Sequence, residues 1–199
     1  MLCDIGNSFA HFFDGKRAWR EPHERLVHYK DERVCYINVK PELKEKLRTF
    51  SNWLDLEPFI ELQTDYKGLG VDRKALCLAV DDGVVVDAGS AVTVDVVKNG
   101  KHLGGFIYPG LSRMRSSYAA ISKALDLEPS FSQNGLPQNT NEAIGYGMIR
   151  PLVLAIEELG GPLYVTGGDG LFLSRFLKKA HYDEWLIFKG LQKVKEGLC

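Results

Sequence analysis

The sequence predicts a mixed α/β fold made of two related halves, because an acid- and glycine-containing corner between β-rich runs occurs twice. In the second half, Val84 to Val97 reads VVVDAGSAVTVDVV, with the corner Asp87-Ala88-Gly89-Ser90 between two apolar runs. Continuous β-branched runs bounded by turn residues are typical of buried strands. The start of the chain has the same order, with a short apolar run leading into Asp4-Ile5-Gly6-Asn7-Ser8. Each half therefore opens with two strands and a polar corner.

Each corner is followed by a residue pair that favours a β-hairpin turn, Asp14-Gly15 in the first half and Asn99-Gly100 in the second. The acid and the turn are separated by ten residues in one half and twelve in the other. Side chains along a strand alternate between its two faces with a period of two. A difference of two residues therefore leaves the acid and the turn on the same relative faces in both halves. We therefore expect two homologous domains, residues 1–82 and 83–199.

The rest of the first half predicts alternating strands and helices. Pro41 suits the first turn of a helix, and Leu43, Leu47 and Phe50 follow it at helical spacing. The predicted elements are an edge strand or loop at Lys16–Lys30, a strand at Val34–Val39, the helix after Pro41, a strand at Phe59–Leu62, a loop at Thr64–Arg73 and a helical run at Ala75–Val80.

The second half repeats this alternation. Apolar residues at helical spacing from Leu111 to Leu125 predict a core-facing helix, and Pro151 is expected to kink or restart a later one. The predicted elements are a return strand at Leu103–Tyr108, the helix from Leu111, a loop at Leu127–Gln138, a helix at Asn139–Leu159, a strand at Leu163–Thr166, a helix with Phe172 and Phe176, a strand at Tyr182–Phe188 and a helical tail from Leu191.

Composition excludes several classes of protein. The 199 residues are 45% hydrophobic, which suits a protein with a real core, and a formal net charge of −1 gives no electrostatic reason to bind nucleic acid or an anionic membrane. No apolar run reaches the about 18 to 20 residues that span a bilayer, and no secretory pattern opens the chain. The four cysteines lack a C-x-x-C pair and the five histidines lack zinc-site spacing. We therefore expect a soluble cytoplasmic protein.

If this protein binds phosphate, the polar corners and the starts of helices have to provide the binding groups. The sequence contains no G-x-x-x-x-G-K-[ST] motif and no G-x-G-x-x-G motif after a strand. Backbone N–H groups and the hydroxyl of Gly6-Asn7-Ser8 suit phosphate oxygens, and Asp4 suits Mg²⁺, bound directly or through water. The Gly167-Gly168 pair before a helix permits close approach of a nucleotide, although such glycines are also common without any ligand.

Two other positions have both a functional and a structural interpretation. Asp72 can accept the proton of an alcohol that is being phosphorylated, with Arg73 beside it to bind a carboxylate or phosphate, or Asp72 can simply cap the following helix. Thr140 can contact a substrate, or it or Asn139 can cap a helix in which Glu142 completes a capping box. The residue pattern alone leaves both choices open.

The ordered motifs resemble those of the type III pantothenate kinases, a family of the actin-like superfamily that also contains acetate and sugar kinases. Ser8 and Ser90 stand where the family has threonine, so the hydroxyl is kept and a methyl group is absent. The matching elements are Asp4-Ile5-Gly6-Asn7-Ser8, Gly70-Val71-Asp72-Arg73, the run from Asp87 to Asp95, the run from Gly104 to Gly110, Asn139-Thr140 and Thr166-Gly167-Gly168-Asp169.

This resemblance implies two ribonuclease-H-like domains with the active site in the cleft between them. It also implies transfer of the γ-phosphoryl group of ATP to pantothenate, with Asp72 as the catalytic proton acceptor and Asp87 as the ligand of a monovalent cation, K⁺ or NH₄⁺. The residues implied for ATP are Asp4, Ile5, Gly6, Asn7, Ser8, Phe9, Ala10, His11, Ser90, Gly167 and Gly168. Those implied for pantothenate are Tyr66, Gly70, Val71, Asp72, Arg73 and Thr140.

The resemblance further implies a homodimer with pantothenate bound near the dimer interface. Two alternatives remain. One is another phosphotransferase or phosphohydrolase of the same superfamily, which would not share the Gly70–Arg73 element with this spacing. The other is a non-catalytic regulator on the same fold, which the loss of Asp4, Asp72 or Asp87 would favour; all three acids are present.

Overall fold

A computed structural model describes residues 1–131 and 135–198 of the chain. These residues form two compact units, of which unit 1 comprises 1–81, 97–104 and 185–199, and unit 2 comprises 82–96 and 105–184. Part of the loop predicted at Leu127–Gln138 lies outside the described residues, as does Cys199. The predicted homologous domains, residues 1–82 and 83–199, are halves of the sequence, and their boundary between residues 82 and 83 stays a prediction.

The described residues contain eleven strands, six α-helices and several 3₁₀ segments. The strands are β1 (Leu2–Ile5), β2 (Ala10–Phe13), β3 (Ala18–Glu21), β4 (Val34–Asn38), β5 (Trp53–Asp55), β6 (Gln63–Thr64), β7 (Gly83–Ala88), β8 (Ala91–Lys98), β9 (Lys101–Pro109), β10 (Leu163–Thr166) and β11 (Ala180–Tyr182). The helices are α1 (Lys44–Arg48), α2 (Val71–Leu78), α3 (Leu111–Ile121), α4 (Thr140–Glu158), α5 (Gly170–Leu173) and α6 (Leu186–Glu196), with 3₁₀ segments at His23–Tyr29, Pro41–Leu43, Glu57–Phe59 and Lys123–Leu125.

The main sheet of unit 1 has the strand order β3-β2-β1-β4-β5. β1 pairs antiparallel with β2 and parallel with β4, and β4 pairs parallel with β5. The predicted Asp14-Gly15 turn joins β2 to β3, with Asp14 N–H donating to the Arg17 carbonyl at 3.3 Å. Phe12 and Trp53 lie in the core on one side of this sheet, and Ile37, Ala75 and Leu191 lie in a second cluster.

The second sheet has six strands in the order β11-β10-β7-β8-β9-β6, and the first five repeat the arrangement of the main sheet of unit 1. β10 is parallel to both β7 and β11, just as β4 is parallel to both β1 and β5. The Asn99-Gly100 turn joins β8 to β9, and both turn residues have positive φ, 50° and 71°, as a type I′ hairpin requires. The shared strand order supports the prediction of two related halves.

Two predicted strands are wrong. The strand expected at Phe59–Leu62 is replaced by the three-residue strand β5 and a 3₁₀ turn, because Trp53 and Leu56 bury their side chains whereas Phe59 is exposed. The strand expected at Tyr182–Phe188 ends at Tyr182, and α6 begins at Leu186. The buried residues Leu186, Gly190 and Leu191 follow helical spacing, and Gly190 has no Cβ where the Ala75 carbonyl of α2 approaches.

Three predicted helices also differ in detail. α2 begins at Val71, so Asp72 and Arg73 lie in its first turn and not in the preceding loop. α4 continues through Pro151 without restarting. In α3 Met114 is buried, but Ile121 is 72% exposed, so the apolar stripe faces the core over only part of its length. None of the helices in the described ranges combines the length and the apolar character needed to cross a membrane.

Candidate active site

The first acidic corner lies at the end of β1. Asp4 stands between His11 of β2 and Ile37 of β4, and its Oδ1 atom is buried from solvent. The loop that follows is held by Gly6 N–H, which donates to the Phe9 carbonyl at 3.0 Å. A ring nitrogen of His23 lies 3.0 Å from the Gly6 carbonyl, and the Lys40 ammonium lies 3.5 Å from the Asn7 carbonyl. Backbone and basic groups therefore surround the residues predicted to bind phosphate.

One cationic side chain, Arg20, and the imidazole of His11 lie on the β2–β3 hairpin beside this corner. The guanidinium of Arg20 lies over the Phe9 ring, 5.0 Å from its centroid, and Arg20 is the strand partner of His11. Burial, and next the positive charge of Arg20, lower the pKa of His11, which favours the neutral form of this imidazole. The sequence analysis did not single out Arg20, because only the hairpin register brings it to His11.

Asp72 is held at the start of α2. Its Oδ1 accepts a hydrogen bond from Arg73 N–H at 2.8 Å. Gly70 occupies the N-cap position, and a Cβ built there would lie 2.6 Å from the same oxygen. Asp72 is therefore not the N-cap residue of α2, and glycine at position 70 leaves room for its carboxylate.

Tyr66 and Arg73 contact each other in the same unit as Asp72. The Arg73 guanidinium lies over the Tyr66 ring, 5.1 Å from its centroid, a cation–π contact. Arg73 is only 5% exposed, whereas Tyr66 is 38% exposed. Unit 1 therefore brings together four residues that the resemblance implies for the substrate: Tyr66, Gly70, Asp72 and Arg73.

The second acidic corner lies at the end of β7 in unit 2. Asp87 is the strand partner of Thr166, and the chain turns at Gly167 with φ of +89°. A Cβ on Gly167 would collide with the Asp87 Oδ1 atom and with the Ala88 carbonyl. Asp169 N–H donates to that carbonyl at 2.9 Å. The Gly167-Gly168 corner is thus packed directly against the Asp87 corner.

Two other glycines have structural explanations that the sequence analysis did not give. A Cβ on Gly110 would collide with the carbonyls of Gly89 and Ser90, and one on Gly105 would collide with the Val94 carbonyl. Both glycines therefore let the chain approach the β7–β8 segment closely. They shape the corner that carries Asp87 and Ser90 without presenting any side chain of their own.

A cavity of about 550 Å³ lies beside Asp169 in unit 2. Burial raises the pKa of Asp169 above its ordinary value. A concave site with apolar walls and a few polar groups suits a small organic ligand. Its lining comprises Leu111, Ser112, Arg115, Ser116, Ala119, Asp126, Glu128, Pro129, Phe131, Met148, Asp169 and Phe172.

Thr140 lies at the first position of α4 and is exposed. Asn139 is the N-cap residue, and its side-chain oxygen accepts from Glu142 N–H at 3.0 Å. Glu142 in turn accepts from Gln138 N–H at 3.1 Å. Capping is therefore performed by Asn139 and Glu142, and a substrate contact by Thr140 stays a prediction.

The family model described as type III pantothenate kinase matches residues 17–160. This chain belongs to the type III pantothenate kinase family. It is 45% identical to the type III pantothenate kinase of Helicobacter hepaticus, an alignment that covers 98% of each chain. It is 44% identical to that of Wolinella succinogenes, over 99% of each chain.

Two solved structures share the fold of this chain. A Campylobacter jejuni protein assigned to the Baf family of transcriptional activators matches with a TM-score of 0.91 and 41% identity, over 99% of this chain and 98% of the other. The ethanolamine utilization protein EutJ from Carboxydothermus hydrogenoformans matches with a TM-score of 0.52 at 15% identity, over 95% and 87%. These likenesses show that the chain has a mixed α/β fold shared with both solved structures.

The donor atoms at the two corners fit hard cations. Asp4 and Asp87 each offer carboxylate oxygens at a strand end, next to glycine-containing backbone. Mg²⁺ and K⁺ prefer such oxygen donors over nitrogen or sulfur. The Oδ1 atom of Asp4 is buried, and Gly167 packs closely against the Asp87 carboxylate.

Proposed function

We propose that this chain transfers the γ-phosphoryl group of ATP to the 4′-hydroxyl of pantothenate, giving 4′-phosphopantothenate in the first step of coenzyme A biosynthesis. Family membership supports the reaction. The observation that supports it most directly is that Asp72 and Arg73 lie in the same first turn of α2, with the guanidinium of Arg73 stacked on the ring of Tyr66. An acceptor held by this pair would bring its hydroxyl close to a fixed carboxylate.

In the proposed reaction, Asp72 accepts the proton of the pantothenate hydroxyl as the oxygen forms its bond to the γ-phosphorus. The bond from that phosphorus to the β–γ bridging oxygen breaks, and ADP leaves with the electron pair. A loose transition state for phosphoryl transfer requires positioning and charge neutralisation more than a strong base, so an aspartate of ordinary basicity suffices. Arg73 provides the guanidinium that suits the pantothenate carboxylate, with Gly70, Val71 and Tyr66 around it.

ATP binding is proposed for the two acidic corners and their loops. Residues 4–11 provide backbone N–H groups and hydroxyls for phosphate oxygens, and Ser90 with Gly167 and Gly168 provides the second set. Asp4 would hold Mg²⁺ directly or through water, and this ion neutralises phosphate charge when bound. We further propose that each unit is a ribonuclease-H-like domain; binding of ATP in a cleft between such domains stays a prediction.

The Asp87 carboxylate is proposed to bind a monovalent cation, K⁺ or NH₄⁺. We expect Asp87→Asn to raise the potassium concentration for half-maximal activity by about tenfold or more, because a carboxylate ligand loses its charge while its shape is kept. The measurement is a potassium titration of activity at saturating ATP and pantothenate. Asp82→Asn, at an exposed residue just before the same strand, is the matched control. Equal potassium titrations for both variants would remove the cation role from Asp87.

The remaining proposals concern the assembly and its setting. We propose a homodimer in the cytoplasm, in which Thr140 contacts pantothenate near the dimer interface. The exposed side chain of Thr140, which is not used as a cap, is compatible with such a contact. The near-zero net charge gives no support to nucleic acid or membrane binding.

The test of the function is ATP-dependent phosphorylation of pantothenate by the purified protein, with Mg²⁺, in potassium buffer and then in sodium buffer. We expect phosphopantothenate, formed much faster with potassium. Absence of product in both buffers, from protein shown to be folded, would favour another acceptor or a non-catalytic regulator. The presence of Asp4, Asp72 and Asp87 favours catalysis.

A further inference from the structure

We propose that Thr64 and His102 are positioning residues, which hold Tyr66 and, through Tyr66, the guanidinium of Arg73 for binding of the acceptor substrate. This inference rests on the proposed function, because it assigns a role to residues around the proposed pantothenate site. Neither residue belongs to the motifs that carry the family resemblance, and neither is proposed to touch the substrate.

The two residues meet because β6 pairs in parallel with the beginning of β9. This pairing sets Thr64 opposite His102, and the Thr64 Oγ1 and His102 Nδ1 atoms lie 2.7 Å apart. His102 is only 1% exposed, so its ring is a fixed part of the interior of unit 1. A short hydrogen bond to a buried side chain fixes the Thr64 hydroxyl in turn.

The Thr64 hydroxyl then fixes the backbone that leads to Tyr66. Its Oγ1 atom accepts a hydrogen bond from Tyr66 N–H at 3.1 Å, an arrangement that orders a short turn. The residue between them is also tied to β9, since Asp65 pairs with the Lys101 ammonium at 2.8 Å. Residues 64–66 are thus held to the beginning of β9 by the Thr64–His102 hydrogen bond, the Asp65–Lys101 ion pair and the strand pairing of Thr64 with His102.

The Tyr66 ring is held on its other sides by His102 and Arg73. The His102 ring meets it edge to face with 5.8 Å between centroids, and the Arg73 guanidinium covers its face at 5.1 Å. Tyr66 is exposed, so without these contacts its ring would sample several rotamers. A continuous set of contacts therefore runs from His102 to the helix turn that holds Asp72.

This arrangement predicts an effect on acceptor binding alone. In Thr64→Val the side-chain shape is nearly kept and the hydroxyl is lost, which removes the bonds to His102 and to Tyr66 N–H. We expect the KM for pantothenate to rise about three- to tenfold, from the usual strength of such hydrogen bonds, with kcat and the KM for ATP changed less than about twofold. Thr64→Ser keeps the hydroxyl and is the matched control, expected to stay near the wild type.

A second measurement is independent of activity. Fluorotyrosine-labelled protein gives a ¹⁹F resonance for Tyr66, assigned by its loss in Tyr66→Phe. We expect this resonance to move toward that of free fluorotyrosine in Thr64→Val and to stay in place in Thr64→Ser.

The two measurements separate the possible failures. Wild-type protein that does not phosphorylate pantothenate would contradict the proposed function, and the resonance of Tyr66 would still decide the positioning role. An unmoved Tyr66 resonance in Thr64→Val would overturn the positioning role, as would equal increases in the KM values for pantothenate and ATP.

Discussion

Asp72→Asn is expected to lower kcat by a factor of about 10² or more while ATP still binds, because the loss of a general base has effects of this size. Asparagine keeps the side-chain oxygen that accepts from Arg73 N–H, so the first turn of α2 can stay as it is. What is lost is the ability to take the proton of the acceptor hydroxyl. The measurements are steady-state kinetics with pantothenate and calorimetric titration with ATP.

The control for this variant is Asp55→Asn in the same unit. Asp55 also accepts a backbone hydrogen bond, from Glu57 N–H at 3.0 Å, but it lies outside the residues proposed for either substrate. Near-normal turnover of Asp55→Asn beside a large loss in Asp72→Asn would assign the effect to proton transfer. If Asp72→Asn instead turns over normally, Asp72 only orders the start of α2.

Local sequence signals predicted the hairpins and the corners well. Asn99-Gly100 specifies its turn because few other residues accept positive φ at both positions, and both angles are positive in the structure. The long β-branched run before Asp87 likewise predicted β7, whose residues Val84–Val86 are buried on both faces of the sheet. These elements depend on contacts between residues that are close along the chain.

Elements decided by long-range packing were predicted poorly. Tyr182–Phe188 contains enough apolar and aromatic residues for a strand. Phe188, however, packs in a cluster with Ala75 and Leu191 in unit 1, and the chain from Leu186 is helical. The short strand β5 forms because Trp53 enters the core beside Phe12. Neither partner can be identified from a local window of sequence.

The candidate site shows the same contrast between local features, which the sequence predicts, and long-range contacts, which it does not predict. The acids and glycines of the motifs could be found from the sequence, because each corner is a local feature. The contact of Thr64 with His102 joins residues that are 38 positions apart, and the strand pairing between β6 and β9 that creates it covers only two residue pairs. The packing of Gly105 and Gly110 against other backbone segments is equally invisible before the fold is known.

Gly167→Ala is expected to lower the free energy of unfolding by about 2 to 4 kcal/mol and to abolish measurable ATP binding. The backbone at this position has φ of +89°, which disfavours any side chain, and the added methyl group would collide with the Ala88 carbonyl and the Asp87 carboxylate. Strain at such angles and overpacking each cost about 1 to 3 kcal/mol. Relief of the collision has to displace Asp87, so one methyl group disturbs both the fold and the proposed cation ligand.

Gly168→Ala separates this explanation from a general intolerance of the corner. A Cβ on Gly168 would meet nothing within 4 Å, and the φ of Gly168 is not positive. The free energy of unfolding of Gly168→Ala without ligand is therefore expected to differ from that of the wild type by less than about 1 kcal/mol. Denaturant unfolding of both variants without nucleotide, followed by ATP titration of Gly167→Ala, provides the comparison. Equal destabilisation by the two substitutions would show that the corner does not depend on close packing of Gly167 against Asp87. A large loss in Gly167→Ala alone would mean that the corner depends on the absence of a single methyl group where the chain turns after β10, beside the Asp87 carboxylate.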